Sequence, residues 1–295
     1  MQAGGWGQGG AKPTGRVVEG DGNGVFPQRS GSTLRTPGVC ATRRPQPMTD
    51  SDHVPASLVY GPVASRRFGR SLGVSFSEVG VRACAWRCPY CQLGHLPTGP
   101  GPAVDLGRLQ RETEAALARC VGEPPAAVTL AGGGEPTDHP DFAPYVRWLA
   151  QRLAAISPRP RLVLLTNGDG LGDPAKLAAL AGCDAAYLKY DPGAPQGSWS
   201  PAWLGRDRAA LLAAIRPLRV QTLLFARRDD GGNHDEAARR AWVAAVRPLG
   251  PVEVHLTTVE RRPPSAEITA VAPAVLRAWA AASAGDLGIP VEVYA

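Results

Sequence analysis

Short apolar runs alternate along the chain with longer segments whose apolar residues recur at helical spacing. Ala126–Ala131 is a continuous apolar run typical of a buried strand, whereas Phe142–Ile156 has the spacing of an amphipathic helix. The predicted strands are Leu72–Phe76, Ala126–Ala131, Leu162–Leu165, Ala185–Leu188, Val220–Phe225, Val252–Leu256 and Val291–Tyr294. The predicted helices are Asp105–Val121, Phe142–Ile156, Pro174–Leu180, Arg208–Ile215, Asp235–Val246 and Ala274–Ala282.

Strands that alternate with helices predict βαβ units and therefore a parallel sheet. Six such units predict an α/β fold in which the sheet closes into an open or partial (β/α)6 barrel. In barrels of this kind the active site lies on the face formed by the carboxyl ends of the strands. Polar and glycine-rich motifs that follow predicted strands are therefore the first candidates for a functional site.

The first 47 residues differ in composition from the rest, with 11 Gly and 5 Pro and few branched or aromatic residues. This composition predicts a disordered extension over residues 1–52, followed by one core domain over residues 53–295. Arg43-Arg44 is followed by a polar, proline-containing segment, so it does not fit a twin-arginine export signal. We expect the natural protein to begin at Met48.

No apolar run approaches the roughly 20 residues that span a bilayer, which excludes a membrane protein. Six cysteines in 295 residues, with no secretion signal, indicate a reducing compartment and a cytoplasmic location.

The most informative stretch is Cys84-Ala-Trp-Arg-Cys88-Pro-Tyr-Cys91, where three thiols lie within eight residues. Clustered thiolates select zinc, copper(I) or iron–sulfur centres. A structural zinc site needs four ligands, and His95 could be the fourth. A [4Fe-4S] cluster held by three cysteines would instead leave one iron open to a ligand that is not protein. Cysteines that merely pack as small apolar residues are a third alternative.

The spacing Cys-x-x-x-Cys-x-aromatic-Cys, with Tyr90 as the aromatic residue, resembles the signature of the radical S-adenosylmethionine (SAM) superfamily. Three further motifs occur in the order that this superfamily has, each after a predicted strand. They are Gly132-Gly133-Gly134-Glu135-Pro136, Thr166-Asn167-Gly168 and Lys189-Tyr190-Asp191. The stretch from Tyr60 to Gly73 is similar to the opening of the wyosine-synthase-like branch of iron–sulfur oxidoreductases.

This resemblance implies a partial barrel of the radical SAM type with a [4Fe-4S] cluster and S-adenosyl-L-methionine as cofactors. It implies that Cys84, Cys88 and Cys91 hold three irons and that the fourth binds S-adenosylmethionine. Reductive cleavage would yield a 5′-deoxyadenosyl radical that removes hydrogen from a substrate. The implied cofactor-binding residues are Tyr90, Gly132, Gly133, Gly134, Glu135, Thr166 and Asn167, and the candidate catalytic residues are Lys189 and Asp191.

Each of these residues also has a structural alternative. Glu135 could instead be a negative side chain in the first turn of the next helix, where it would stabilise that helix rather than bind the methionine ammonium. Asn167 could form a turn instead of binding the ribose, and Asp191 could belong to a turn before Pro192. His95, His139, His234 and His255 have no mutual spacing typical of a metal site.

The sequence indicates the substrate less clearly than it indicates the type of reaction. The branch suggests modification of a tRNA purine, but Cys40, Cys120 and Cys183 are too scattered for a second cluster. An enzyme acting on an unidentified substrate is the first interpretation, a tRNA-modifying enzyme the second, and a non-catalytic iron–sulfur or zinc protein the third. The expected partner is a reducing electron donor such as flavodoxin or ferredoxin.

Charge argues against strong binding of RNA by the core domain. Residues 1–47 contain six Lys or Arg against two Asp or Glu, so they carry four of the six net positive charges. The remaining candidates are Arg66, Arg67 and Arg70, whose guanidinium groups could hold a phosphate or carboxylate. A solvated or structurally paired basic loop is their alternative.

Overall fold

A computed structural model describes residues 57–78, 80–94, 96, 104–192, 215, 217–229, 231–261, 263 and 265–295. The predicted extension over residues 1–52, with Met48, lies outside the described residues, as do the predicted domain boundary and His95. All but the last residue of the predicted helix Arg208–Ile215 also lies outside them.

A single curled sheet of nine strands, in the form of a half-barrel, organises the described part of the chain. The strands are β1 (Val59–Ser65), β2 (Gly69–Val74), β3 (Ala127–Leu130), β4 (Arg161–Thr166), β5 (Ala185–Lys189), β6 (Arg219–Arg227), β7 (Glu253–Thr258), β8 (Ile268–Ala270) and β9 (Val291–Tyr294). The spatial order is β1-β2-β3-β4-β5-β6-β7-β9, and β8 pairs with β6. Strands β2 to β7 run parallel in chain order, which confirms the predicted partial barrel.

Three strands add to the six predicted units. Strand β9 extends the parallel sheet beyond β7, as the apolar run at the end of the chain predicts. Strands β1 and β8 are antiparallel, and the sequence analysis missed both. The pattern of β1 is broken by Gly61 and Pro62, and β8 has only three residues, so neither gives a clear periodic signal.

Helices cover the convex face of the sheet. They are α1 (Leu106–Ala118), α2 (Phe142–Ala154), α3 (Pro174–Ala179), α4 (Glu236–Val246) and α5 (Pro273–Leu287). The carboxylates of Asp105, Asp173 and Asp235 each accept a hydrogen bond from a backbone amide in the first turn of the helix that follows. Helix α5 continues beyond its predicted end because Ala-rich sequence favours helix until Gly288, which ends it with a φ of 71°.

The main hydrophobic core lies between the sheet and these helices. All four residues of β3 are buried, as expected for a parallel strand covered on both faces. On the helix side, Phe142, Tyr145 and Leu149 of α2 are fully buried. Among the described residues no helix is long and apolar enough to cross a membrane.

The turn of the β1–β2 hairpin enters the concave face of the half-barrel. The ring of Phe68 lies 5.6 Å from that of Tyr187 on β5 and 6.1 Å from that of His255 on β7. His255 in turn stacks on Tyr187 at 4.3 Å. These aromatic contacts line the concave face toward the amino ends of the strands, and the predicted motifs lie at the opposite end of the barrel.

Replacing Leu149 with Ala should destabilise the protein by about 2–5 kcal/mol, because it empties a site in the main core. Leu149 is fully buried, whereas Val121 after α1 is 80% exposed, so Val121→Ala is the matched control with an expected change within about 0.5 kcal/mol. Urea unfolding followed by circular dichroism measures both. Equal losses for the two variants would contradict the position of this core.

His255 should make the protein less stable in acid. Burial lowers the pKa of His255 to about 4, partly opposed by Glu253 and reinforced by Arg67, Arg219 and Arg161. The unfolded chain takes up a proton near the ordinary histidine pKa of about 6.5, whereas the folded chain does not, so stability falls as pH drops below that value.

Between pH 7.5 and pH 5, wild-type protein should therefore lose about 2 kcal/mol more than His255→Phe. Chemical unfolding at both pH values gives this difference, and His234→Phe, at a partly exposed position outside the aromatic cluster, is the control. Parallel stability profiles for wild type and His255→Phe would refute the assignment.

Candidate cofactor site at the carboxyl ends of the strands

The cysteine loop follows β2 and packs directly on the turn that follows β3. Ala83 and Gly134 form an isolated parallel bridge, and the backbone amide of Glu135 donates to the Ala83 carbonyl at 2.8 Å. Further along the loop, the Cys91 amide donates to the Cys88 carbonyl at 3.0 Å. Backbone hydrogen bonds therefore join the loop that carries the thiols to the turn after β3.

The glycine motif is explained first by this close packing of backbone. A Cβ added at Gly134 would lie 2.1 Å from the Ala83 carbonyl oxygen. At Gly133 the nearest atom would be Ser77 Oγ at 2.4 Å, and at Gly132 it would be Ser75 Cβ at 2.6 Å. The space that the missing side chains leave is occupied by the chain itself, so these glycines hold the cysteine loop against β3. Their predicted contact with a cofactor stays a prediction.

Glu135 is buried, and its carboxylate joins two motifs that are far apart in sequence. Oε1 accepts from the Thr137 amide at 3.0 Å, from Thr137 Oγ1 at 2.6 Å and from Thr166 Oγ1. Oε2 accepts from the Asn167 amide at 2.7 Å. Burial raises the pKa of Glu135, and the four hydrogen bonds oppose that effect. Glu135 also caps the short 3₁₀ helix Pro136–Asp138, as its structural alternative predicts.

The motif after β4 contacts the cysteine loop through two side chains. Asn167 Nδ2 lies 3.7 Å from Cys84 Sγ, within hydrogen-bonding distance for sulfur. Trp86 is buried, and its indole Nε1 donates to Asp169 Oδ2 at 2.5 Å. Gly168 has a φ of 85°, a left-handed conformation that suits glycine and turns the chain back toward the loop.

Tyr90 and Asp191 connect the cysteine loop to β5 and β6. The Tyr90 hydroxyl donates to Asp191 Oδ2, and Asp191 Oδ1 accepts from the Leu223 amide at 2.7 Å. The Lys189 ammonium lies 5.4 Å from the centre of the Tyr90 ring. Both candidate catalytic residues therefore face the loop, with Asp191 engaged on both oxygens.

Lys189 is the cation that faces the thiols. Burial lowers its pKa, but Cys88, Asp191, Cys91 and Cys84 together raise the pKa above its ordinary value. Burial raises the pKa of Cys84 to about 12 and also raises that of Cys88, while Lys189 opposes the shift at both thiols. Lys189 therefore favours the thiolate form at the positions where the sequence predicts metal ligands.

The predicted site residues come together, but their donor atoms are not arranged around a common point. No group of three His, Cys, Asp or Glu side chains in the described part of the chain has the geometry that holds a metal ion. The chemistry of the donor set nevertheless suits a soft metal centre, because three cysteines share one loop near the half-buried side chain of Lys189.

The remaining candidates have structural partners. Arg66 forms an ion pair with Glu260, and Arg70 donates to the Glu123 carbonyl and lies 3.8 Å from Cys120 Sγ. His139 Nδ1 accepts from the Asp141 amide at 3.1 Å, and His234 Nδ1 lies 3.1 Å from the Phe225 carbonyl.

Sequence reasoning missed Thr137, Trp86 and Asp169, which connect the motifs. Thr137 lies two residues after Glu135, and Asp169 lies directly after the Thr-Asn-Gly motif, so their proximity to the motifs was the available signal. The pairing of Trp86 with Asp169 spans 83 residues, and no local pattern reports a contact of that separation.

Comparison with known proteins agrees with this arrangement. The Radical SAM superfamily model matches residues 79–193, which contain all four motifs. A UPF0026 protein of Helicobacter pylori is 29% identical over 136 residues, which is 45% of this chain and 42% of that protein. The UPF0026 protein slr1464 of Synechocystis is 32% identical over 137 residues, covering 45% of this chain and 48% of its own length. GTP 3′,8-cyclase of Mycobacterium ulcerans is 33% identical over 141 residues, covering 44% and 34%.

Solved structures share the fold at low sequence identity. A radical SAM methyltransferase from Sphaerobacter thermophilus superposes with a TM-score of 0.54 at 20% identity, covering 76% of this chain and 65% of that one. Streptococcus suis SuiB, bound to its precursor peptide SuiA, gives a TM-score of 0.53 at 11% identity, covering 73% and 47%.

The half-barrel and the cysteine loop at the carboxyl ends of its strands define an α/β protein in which three clustered cysteines offer the donor atoms that soft metal centres use. Residues 79–193 are the part of this chain that is similar to the Radical SAM superfamily, whose members are enzymes. The UPF0026 relatives support the predicted wyosine-synthase-like branch. The matches span less than half the length of the UPF0026 relatives.

Replacing Gly134 with Ala should destabilise the site by more than about 2 kcal/mol, because the new methyl group would collide with backbone that cannot move independently. Gly122→Ala is the control, since nothing lies within 4 Å of a Cβ there. Thermal unfolding compares the two variants. A Gly134→Ala protein as stable as the control would show that the cysteine loop is not packed on this turn.

Proposed function

We propose that this protein is a radical SAM enzyme in which Cys84, Cys88 and Cys91 hold a [4Fe-4S] cluster that binds S-adenosyl-L-methionine. The observation that carries the proposal is that the loop with the three thiols is contacted from two neighbouring strand ends, by Asn167 at Cys84 Sγ and by Asp191 at the Tyr90 hydroxyl. When bound, such a cluster supplies the electron that cleaves S-adenosylmethionine to a 5′-deoxyadenosyl radical, which removes hydrogen from substrate. The chain's own contribution is to bind, orient and shield these groups.

Lys189 has an electrostatic role in this proposal. Three thiolates in a partly buried loop repel one another, and a neighbouring ammonium offsets that repulsion. Asp191 is a positioning residue, since both of its oxygens are engaged with the Tyr90 hydroxyl and the Leu223 amide. Tyr90 is thereby fixed between Cys88 and Cys91, and the loop cannot shift without breaking a buried hydrogen bond.

In this proposal Glu135 both holds the turns after β3 and β4 together and binds the methionine ammonium. Its Oε1 accepts three hydrogen bonds and is fully engaged, whereas Oε2 accepts only one, from the Asn167 amide. A carboxylate oxygen can accept a second hydrogen bond, so Oε2 is free to accept from the methionine ammonium of the cofactor. Asn167 contacts both Glu135 and Cys84, and in this proposal its side chain binds the ribose.

The proposal includes a reducing electron donor such as flavodoxin or ferredoxin and a cytoplasmic location. Cys120 is buried beside Arg70, and Cys183 packs at the edge of the main core, on the helix-covered face. Neither supports a second cluster beside the first. The wyosine-like branch suggests a tRNA substrate, but the positions of Cys120 and Cys183 add no support for it.

Anaerobic reconstitution tests the proposed function. The protein should take up about four irons and four sulfides and, with dithionite and S-adenosylmethionine, should release 5′-deoxyadenosine. Tightly bound zinc without sulfide, and no deoxyadenosine, would favour the non-catalytic metal protein instead.

Two substitutions separate ligand from cofactor contact. Cys88→Ala should lose the cluster, whereas Cys183→Ala should keep it, because that thiol packs at the edge of the core away from the loop. Glu135→Gln should keep the iron but bind S-adenosylmethionine at least about tenfold more weakly, because it removes a charge-assisted contact worth about 1.5–3 kcal/mol. Iron analysis and equilibrium binding measure these effects. If Glu135→Gln lost iron as completely as Cys88→Ala, the division of roles would be wrong.

A further inference from the structure

Three buried polar atoms on the concave face of the half-barrel have no hydrogen-bond partner: Arg67 Nη1, Gln221 Oε1 and His255 Nδ1. Gln221 and His255 are paired residues on the neighbouring strands β6 and β7, so their side chains lie side by side. Gln221 is also paired with Lys189 on β5, the cation that faces the cysteine loop. The unpartnered atoms therefore lie on the same face as the cofactor site.

Aromatic rings enclose this group. The Arg67 guanidinium carbon lies 5.0 Å from the centre of the Phe68 ring, and its charge acts on both Tyr187 and Tyr294. His255 lies between these tyrosines, with ring centres 4.3 Å and 4.8 Å away. His255 is 4% and Gln221 7% exposed, so the unpartnered atoms are shielded from bulk water.

The carboxylates near His255 contact other groups and not Arg67. Glu253 accepts from Arg219 at 2.9 Å and from the Tyr187 hydroxyl at 2.9 Å. Glu292 accepts from the Tyr294 hydroxyl. Within the described part of the chain Arg67 makes no ion pair, in contrast to Arg66 next to it. The partly buried guanidinium of Arg67 therefore has no carboxylate partner among the described residues.

Buried polar atoms without partners each cost about 1–3 kcal/mol, so three in one cluster indicate a missing binding partner. Arg67 offers only donors and requires an anion. The side-chain oxygen of Gln221 is an acceptor. His255 Nε2 faces Glu253 and Glu292 at 3.7 Å and 3.9 Å, so its proton belongs there and Nδ1 is an acceptor as well. The partner must therefore combine an anionic oxygen with a hydrogen-bond donor.

We propose that this cluster is the substrate-binding site of the enzyme proposed above, and that it recognises a small molecule with a terminal carboxylate beside a hydroxyl or amine. Arg67 binds the carboxylate, and Gln221 and His255 accept hydrogen bonds from the neighbouring donor group. That the ligand is a substrate rests on the proposed function. The binding site itself is inferred from the unpartnered atoms.

A carboxylate fits this site better than a nucleic-acid phosphate. The single unpaired arginine balances one negative charge, whereas a phosphate monoester carries nearly two. A phosphodiester carries one, but it offers no hydrogen-bond donor to the two acceptors Gln221 Oε1 and His255 Nδ1. The site therefore favours a hydroxy or amino carboxylate over a phosphodiester.

Ligand-observed saturation-transfer NMR on the full chain tests the site with three probes: lactate, propionate and dimethyl phosphate. Wild-type protein should bind lactate at least about fivefold more tightly than propionate, which lacks the donor, since the lost hydrogen bond is worth about 1 kcal/mol or more. Dimethyl phosphate should bind more weakly than lactate. Arg67→Gln should lose lactate binding, whereas Arg66→Gln should retain it, because Arg66 already pairs with Glu260.

Gln221→Leu provides a second variant of similar volume, which should reduce lactate binding to the level of propionate and leave propionate unchanged. Equal loss in the Arg66 and Arg67 variants, retained binding in Arg67→Gln, or dimethyl phosphate binding as tight as lactate would each overturn the proposal. The deoxyadenosine assay on the same preparations keeps the two proposals apart. A protein that forms no deoxyadenosine but binds lactate through Arg67 defeats only the proposed function.

Discussion

The buried carboxylate of Glu135 is the interaction on which the site depends. It receives hydrogen bonds from Thr137, Thr166 and the Asn167 amide, and so fixes the turn after β3 to the turn after β4. A buried carboxylate is costly unless it is hydrogen-bonded, and here four donors compensate for that cost. The Glu135 amide in turn binds the Ala83 carbonyl, which holds the cysteine loop in place. One residue thus connects three segments that are far apart in sequence.

A second polar connection closes the other side of the loop. Tyr90 reaches Asp191 and packs at 5.9 Å against Phe225, so the cysteine loop contacts β5 and β6 as well as β3 and β4. The loop therefore spans the mouth of the half-barrel, with Lys189 beneath it. On the same concave face Gln221 and His255 pair in register with Lys189, and Arg67 lies beside the Phe68 ring.

Much of this arrangement could be predicted from the sequence because it depends on local patterns. Apolar periodicity predicted the seven parallel strands, β2 to β7 and β9, and motif order predicted the end of the barrel where the motifs lie. The Glu135 contacts depend on a 31-residue separation from Thr166, which no local pattern reports. The role of Arg67 could not be distinguished from those of Arg66 and Arg70, because the three differ only in the partners that folding brings to them. Similarly, the glycines were expected to admit a cofactor, yet the atoms nearest their Cβ positions belong to Ser75, Ser77 and Ala83.

The central claim is that three cysteines hold a cluster with one iron open to S-adenosylmethionine. Electron paramagnetic resonance of the reconstituted, dithionite-reduced protein, recorded with and without S-adenosylmethionine, tests it most directly. The account predicts a [4Fe-4S]⁺ signal whose g values and line shape change on addition of the cofactor, because the cofactor binds an iron that has no protein ligand. A cluster signal that is identical in the two samples would contradict the claim.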